Sequence, residues 1–278
     1  MIKEEFYKTE KLYHYTSFEK ALGVLETNQL WFGYLKDLND INELYRPLFY
    51  EKVTPEIESM AKMELEKYQQ ISLTRDFCRY GFDIPAMWGH YGDKGKGVCF
   101  IFNKDKLLNC LSSDIYHDKV EYVGPDYSFS VVFRVKDNVI EPFTNKDIDE
   151  FFFKKTCDWS YEQEYRLLVK TDGKGRYKLP LNDSLIGIVI RDAYVENEFH
   201  NVTTSVNYNI LKKVKKASCL ILNYANFMGS RHLQYMDDDV IKFGTTYDDT
   251  IWHSDDDIYK ALMEGNACVE GTYGNKLI

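Results

Sequence analysis

Leu12-Tyr13-His14-Tyr15-Thr16-Ser17-Phe18-Glu19-Lys20-Ala21-Leu22 reads as an apolar strand that ends beside a histidine and turns straight into a helix. Leu12 to Tyr15 is the strand. Thr16 and Glu19 have the S/T-x-x-E spacing of a capping box, and Phe18, Ala21, Leu22 and Leu25 fall on one helical face. Leu30-Trp31-Phe32 then resumes an extended pattern before the turn-prone Leu38-Asn39-Asp40. Thr54-Pro55 opens a second helix with proline at its first position, and Ile57, Met60, Ala61, Leu65 and Tyr68 recur at helical spacing.

Strand and helix signals alternate from there. Ile71 to Thr74 is a strand, Pro85 to Tyr91 a short helix or turn, and Lys94-Gly95-Lys96-Gly97 a tight turn into the β-prone Val98 to Phe102. Further strands are expected at Lys119 to Val123, Ser130 to Val135, Tyr165 to Val169 and Ile186 to Ile190, and a helix at Lys146 to Lys155 whose Phe151, Phe152 and Phe153 bridge the core. Cys219 to Leu222 reads as a last strand or a buried helical turn. The fold class that follows is α+β: a twisted mixed or antiparallel sheet in two halves with flanking helices. Aspartate runs at 237–239, 248–249 and 255–257 change the composition, so residues 1–222 are expected to form the main domain and 223–278 an acidic, aromatic extension.

Composition bounds what such a chain can do. The 278 residues are 44% hydrophobic and 15% aromatic, enough for a packed interior. Thirty-five basic against forty-four acidic residues leave a formal charge of -9, which disfavours a nonspecific grip on a nucleic-acid backbone. Six scattered cysteines without a CxxC pair, and a start that lacks an apolar run, point to a reduced, cytoplasmic chain. No apolar stretch reaches the roughly 20 residues of a membrane helix. The aspartate runs lack calcium-loop spacing, His232 and His253 stand apart from any cysteine pair, and no metal is expected. G-x-S-x-G, P-loop and His-Glu-x-x-His patterns are absent as well.

Five segments carry a resemblance: Leu12 to Ser17, Leu38-Asn39-Asp40 with Glu43, Met87-Trp88-Gly89-His90-Tyr91-Gly92, Gly95-Lys96-Gly97-Val98, and Trp159 to Leu168. Together, over roughly residues 12 to 192, they resemble the bacterial domain of unknown function 2971 family. The first, fourth and fifth also resemble, more remotely, the three signature motifs of poly(ADP-ribose) polymerase-like ADP-ribosyltransferases. Tyr15 stands where those enzymes have glycine, and Cys99 where they have a ring-stacking tyrosine.

That remote resemblance implies an ADP-ribosyltransferase-like fold and NAD as substrate. His14 would bond the adenosine ribose, the backbone of Tyr15 would hold the nicotinamide amide, and Thr16 would follow as a cap or a contact. Glu164 would stabilise the oxocarbenium-like charge that builds on the ribose as the nicotinamide bond breaks; Glu162, two residues earlier on the same face of a strand, gives a spacing that also resembles the Glu-x-Glu pair of arginine-directed ADP-ribosyltransferases, in which the first Glu would orient the acceptor. Tyr91 or Trp88 would stack on the nicotinamide ring, and Arg75, with its planar fork, suits the pyrophosphate.

Plainer readings stand beside each of these. His14 serves equally as a half-buried strand-end residue, Trp88 and Tyr91 as core, and Glu164 or Glu162 as one half of an ion pair with Arg166 or Lys155 at a sheet edge. Arg191-Asp192, after a strand, reads as a mutual ion pair or turn. The function expected is NAD-dependent transfer of ADP-ribose to a protein, nucleic acid or small molecule, or to water, in a bacterial or phage conflict setting. The alternatives are a noncatalytic nucleotide-binding or interaction module and a metal-independent nucleic-acid-processing enzyme using His14, His90 and Glu164.

Overall fold

A computed structural model of the chain describes residues 9–38, 40, 49–50, 54–77, 79–128, 132–136, 139–191, 194–196, 202–215, 219–227 and 230–235. It has the expected α+β character, with a mixed, open sheet and several helices. Most of the expected 223–278 extension, and the Asn39 and Glu43 of the loop motif, lie outside the described residues. Among the described residues no helix is long and apolar enough to cross a membrane. The chain divides into two compact units, one of residues 1–30, 74–110 and 180–278, the other of 31–73 and 111–179.

The first unit is built on strand Lys11–Thr16, which pairs antiparallel along its whole length with Val98–Asn103, His14 lying opposite Phe100 and Thr16 opposite Val98. Its other neighbour, strand Tyr68–Arg75, pairs with it only through Leu12↔Arg75 and Tyr13↔Thr74. Val98–Asn103 pairs in turn with Leu185–Ile190, which runs parallel to Leu220–Phe227. A parallel pair needs a long crossover. It is supplied by the segment that contains helix Val206–Val214, and this helix packs beside helix Phe18–Thr27. The expected element at Cys219 to Leu222 is thus a strand that continues to Phe227 and pairs with Ser230–Tyr235.

The helix after the first strand starts one residue later than its capping-box spacing implies. Thr16 stays in the sheet, and the N-cap is Ser17, whose hydroxyl accepts from the Lys20 amide at 3.4 Å. The ladder to Val98 holds Thr16 extended and leaves the next hydroxyl to satisfy the helix end. Gly97 fits against this corner closely. A Cβ there would stand 2.2 Å from the Thr16 carbonyl oxygen, which explains a glycine at that turn without any ligand.

In the second unit, strand Glu164–Lys170 pairs antiparallel with Ile115–Lys119, and Lys154–Thr156 pairs parallel with Glu121–Val123. Helix Pro55–Leu65 begins as expected at Thr54, which accepts from the Ile57 amide at 3.3 Å. The helix expected over 146–155 ends at Phe152, its start fixed by the capping box of Thr144 and Asp147. Phe151, Phe152 and Phe153 pack with Leu35, Tyr68, Ile148 and Leu168, so the aromatic run is core, and the chain after it turns into the short strand.

Candidate functional site

The Trp159 to Leu168 motif folds differently from its alternating pattern. Glu162 closes a 3-10 turn over Cys157–Glu162, Gln163 takes a left-handed conformation (φ 46°, ψ 48°), and the strand begins only at Glu164. Glu162 and Glu164 are therefore not neighbours on one strand face, as the sequence expectation had them. The left-handed residue folds the backbone so that both carboxylates reach one lysine instead. Lys155 Nζ lies 2.8 Å from Glu162 and 3.7 Å from Glu164. Such a backbone is costly for a residue other than glycine. Gln163 closes the turn by donating from its side chain to the Ser160 carbonyl at 2.6 Å.

Glu164 and Arg166 alternate on one face of the strand, and Arg166 grips the carboxylate with two bonds of 2.8 Å, from Nε and Nη2. Its third nitrogen donates to the Phe152 carbonyl. The four charges are almost fully buried: Arg166 is 1% exposed, Glu164 2%, Glu162 4% and Lys155 4%. Two cations and two anions sum to zero. A buried charge survives only when paired and hydrogen-bonded, so each member depends on the others. Lys155 also lies 4.5 Å from the centre of the Trp159 ring, which covers it.

Burial alone would raise the Glu164 carboxyl, but the Arg166 guanidinium and then Lys155 outweigh it and bring it down to about 2. Glu164 is thus ionised at neutral pH. Tyr122, pushed far up by burial and by the Glu164 charge, keeps its proton and accepts from the Glu164 amide at 2.9 Å. One further partner reaches solvent. The exposed Ser72 hydroxyl bonds the Glu164 carboxylate and accepts from Gln70 at 3.2 Å. The pairings of Glu162 with Lys155 and Glu164 with Arg166, which the sequence left open, are both present, in the interior rather than at an edge. Ser72, Tyr122 and Trp159 were not legible as parts of this cluster, because their strand and turn patterns carry no chemical spacing.

The remaining site candidates lie in the first unit. His14 is half-buried on the central strand opposite Phe100 of Val98–Asn103, and the register with Tyr68–Arg75 runs through Leu12 and Tyr13. Tyr15 is buried and donates its hydroxyl to the Gly81 carbonyl at 2.6 Å; burial first, and Cys99 next, push this phenol well above its usual range. Thr16 is buried in the ladder and Arg75 half-buried opposite Leu12. Trp88 is 1% exposed, donates from its indole to the Phe82 carbonyl at 2.8 Å, meets Tyr15 edge-on and stacks on Tyr224 at 6.1 Å. Tyr91, by contrast, is half-buried just past helix Pro85–His90, its ring 6.3 Å from that of His90. Asp192 lies outside the described residues.

Residues 87–167 match the model of a family described as a protein of unknown function (DUF2971). The match supports that family over a stretch holding Trp88, the glycine turn and all four members of the charge cluster. Comparison with curated proteins and with solved structures returned no match.

Proposed function

We propose that the chain acts on NAD, breaking the bond between nicotinamide and ribose and passing ADP-ribose to an acceptor or to water. The observation that carries this reading is Glu164: an ionised carboxylate, fixed by two bonds from Arg166, with the hydroxyl of the exposed Ser72 on it. Breaking the glycosidic bond sends its electron pair off with nicotinamide and leaves positive charge at the ribose. A carboxylate already desolvated and held in place stabilises that charge without reorganising. The acceptor then bonds to the ribose carbon and gives up its proton. Glu162 is assigned to orienting that acceptor, and its bond to Lys155 fixes where it stands.

In this proposal His14 and Tyr15 keep the cofactor-holding parts that the motif resemblance gives them, and Tyr91, half-buried, suits ring stacking better than the buried Trp88. Arg75 and Thr16 are assigned to the pyrophosphate and the adjacent turn. The acceptor is a protein, a nucleic acid or a small molecule.

A second reading has its own observation, the neutrality of the cluster. Lys155 and Arg166 already balance both carboxylates, as they would in a noncatalytic nucleotide-binding or interaction module whose charges only fix the fold. Nicotinamide release from NAD, with and without cell lysate, separates the two. The transferase reading expects release that falls at least tenfold in Glu164→Gln and severalfold in Ser72→Ala, the second variant leaving the buried ion pairs intact. Release that Ser72→Ala and a folded Glu164→Gln leave unchanged, or no release from the wild type, would favour the module.

A further inference from the structure

The turn between helix Pro85–His90 and strand Val98–Asn103 holds three consecutive residues in the left-handed region: Asp93 (φ 49°), Lys94 (φ 55°) and Gly95 (φ 88°). Two of them are not glycine, so the conformation is held against its intrinsic cost. It is held from below. The amides of Gly95 and Gly97 return to the Gly92 carbonyl at 2.9 Å each, and that of Lys96 to Asp93 at 3.0 Å. The amides of Asp93 and Lys94 make no such bond among the described residues. Successive N–H groups where the backbone changes from right- to left-handed form a concavity that accepts an anion.

Arg191 stands at this turn. A Cβ built on Gly95 would lie 3.2 Å from its Nη1. The guanidinium carbon lies over two rings, 5.5 Å from the centre of Tyr224 and 5.8 Å from that of Trp88, which themselves stack. Contact with a ring face leaves the N–H groups of a guanidinium available for hydrogen bonds. Although exposed, Arg191 has no ion pair among the described residues. Lys94 and Lys96 add two exposed cations to the same turn, against the single carboxylate of Asp93.

We propose that the Gly92–Gly97 turn and Arg191 form a binding site for the phosphate oxygens of a small phosphorylated molecule. The Asp93 and Lys94 amides and the Arg191 fork supply directed donors, and Lys94 and Lys96 supply charge. A bidentate guanidinium beside backbone amides matches the geometry of phosphate. The overall charge of -9 sets a long polyanion aside in favour of a compact ligand. The site lies within the first unit and does not rest on the reading of Glu164.

Calorimetric titration of the full chain with inorganic pyrophosphate at low salt tests it. Saturable binding is expected, weakened at least tenfold by Arg191→Met, which keeps an apolar cover on the rings, and severalfold by Lys94→Asn, which keeps a residue tolerant of the left-handed backbone. Lys178→Met, which removes an exposed cation over Trp31 in the second unit, serves as the control and is expected to bind as the wild type does. Circular dichroism establishes that each variant is folded. Should Arg191→Met fail to fold, Arg191→Lys keeps the charge without the fork and is expected to weaken binding severalfold. No saturable binding by the wild type would overturn the proposal, as would affinity unchanged in a folded Arg191 variant, or a loss in Lys178→Met equal to that in Lys94→Asn.

Discussion

The second unit takes four charges out of water and balances them against one another, whereas the first buries aromatic rings and leaves Arg191 exposed over two of them. Arg166 and Arg191 make the contrast concrete. Arg166 is 1% exposed and spends its nitrogens on Glu164 and the Phe152 carbonyl; Arg191 is exposed and rests on Trp88 and Tyr224. A balanced buried cluster is rigid and sensitive to the loss of any one member, because what remains is an uncompensated charge in a medium that solvates it poorly. An exposed arginine seated on rings contributes only about 0.5–1 kcal/mol to the fold.

The sharpest way to break the comparison is Arg166→Met. It strands the Glu164 carboxylate, and denaturant unfolding is expected to show a loss of about 3–5 kcal/mol, against less than about 1 kcal/mol for Arg191→Met. Replacing Glu164 by leucine in the same Arg166→Met chain is expected to recover much of the loss, since two apolar side chains tolerate a low-polarity site that one charge does not. A double variant as unstable as the single would mean that Arg166 acts through packing and its bond to Phe152.

Gly97→Ala comes next and probes the first unit. The new Cβ meets backbone rather than a flexible side chain, so the first strand or the turn must shift, at about 1–3 kcal/mol. The pH dependence of stability follows. The Glu164 carboxyl is lower folded than unfolded, so its contribution is fully present above the usual carboxylate value near 4.5 and is lost as pH falls through its folded value of about 2. Unfolding measured across that window is expected to weaken steadily in the wild type and more shallowly in Glu164→Gln. An identical slope in both would deny Glu164 its low value.

The smallest effect distinguishes the two hydroxyls at the first helix. Ser17→Ala is expected to cost about 0.5–2 kcal/mol, the usual loss of an N-cap, and Thr16→Val less, because Thr16 belongs to the strand and valine suits one. The reverse order would restore the cap to Thr16.

Much of this architecture was legible in the chain. The strand at Leu12, the helix after Pro55 and the strand after Gly97 follow from apolar periodicity, proline placement and turn glycines, which act within a few residues. The helix over 146–155 was legible in kind but not in length, since Phe153 onward satisfies a helical pattern as well as the core and strand it enters. Glu162 and Glu164 were legible as a pair with Lys155 and Arg166 for partners. Their burial was not, nor the left-handed Gln163 that replaces one strand face by a turn, because a conformation of that kind is chosen by what it lets the neighbours bond. Ser72 reads in the sequence only as one polar residue in a strand.

Local pattern by itself determined which segments extend and which coil, the α+β class, and the residue types available for chemistry. Tertiary structure alone decided that Lys155 sits between two carboxylates, that Trp88 is core while Tyr91 is half open, and that Arg191 lies over two rings beside a left-handed turn. The physical reason is range. Backbone preference and hydrophobic period are set by neighbours in the chain, whereas the partner of a charge and the water it keeps are set by segments far away in sequence that packing brings together.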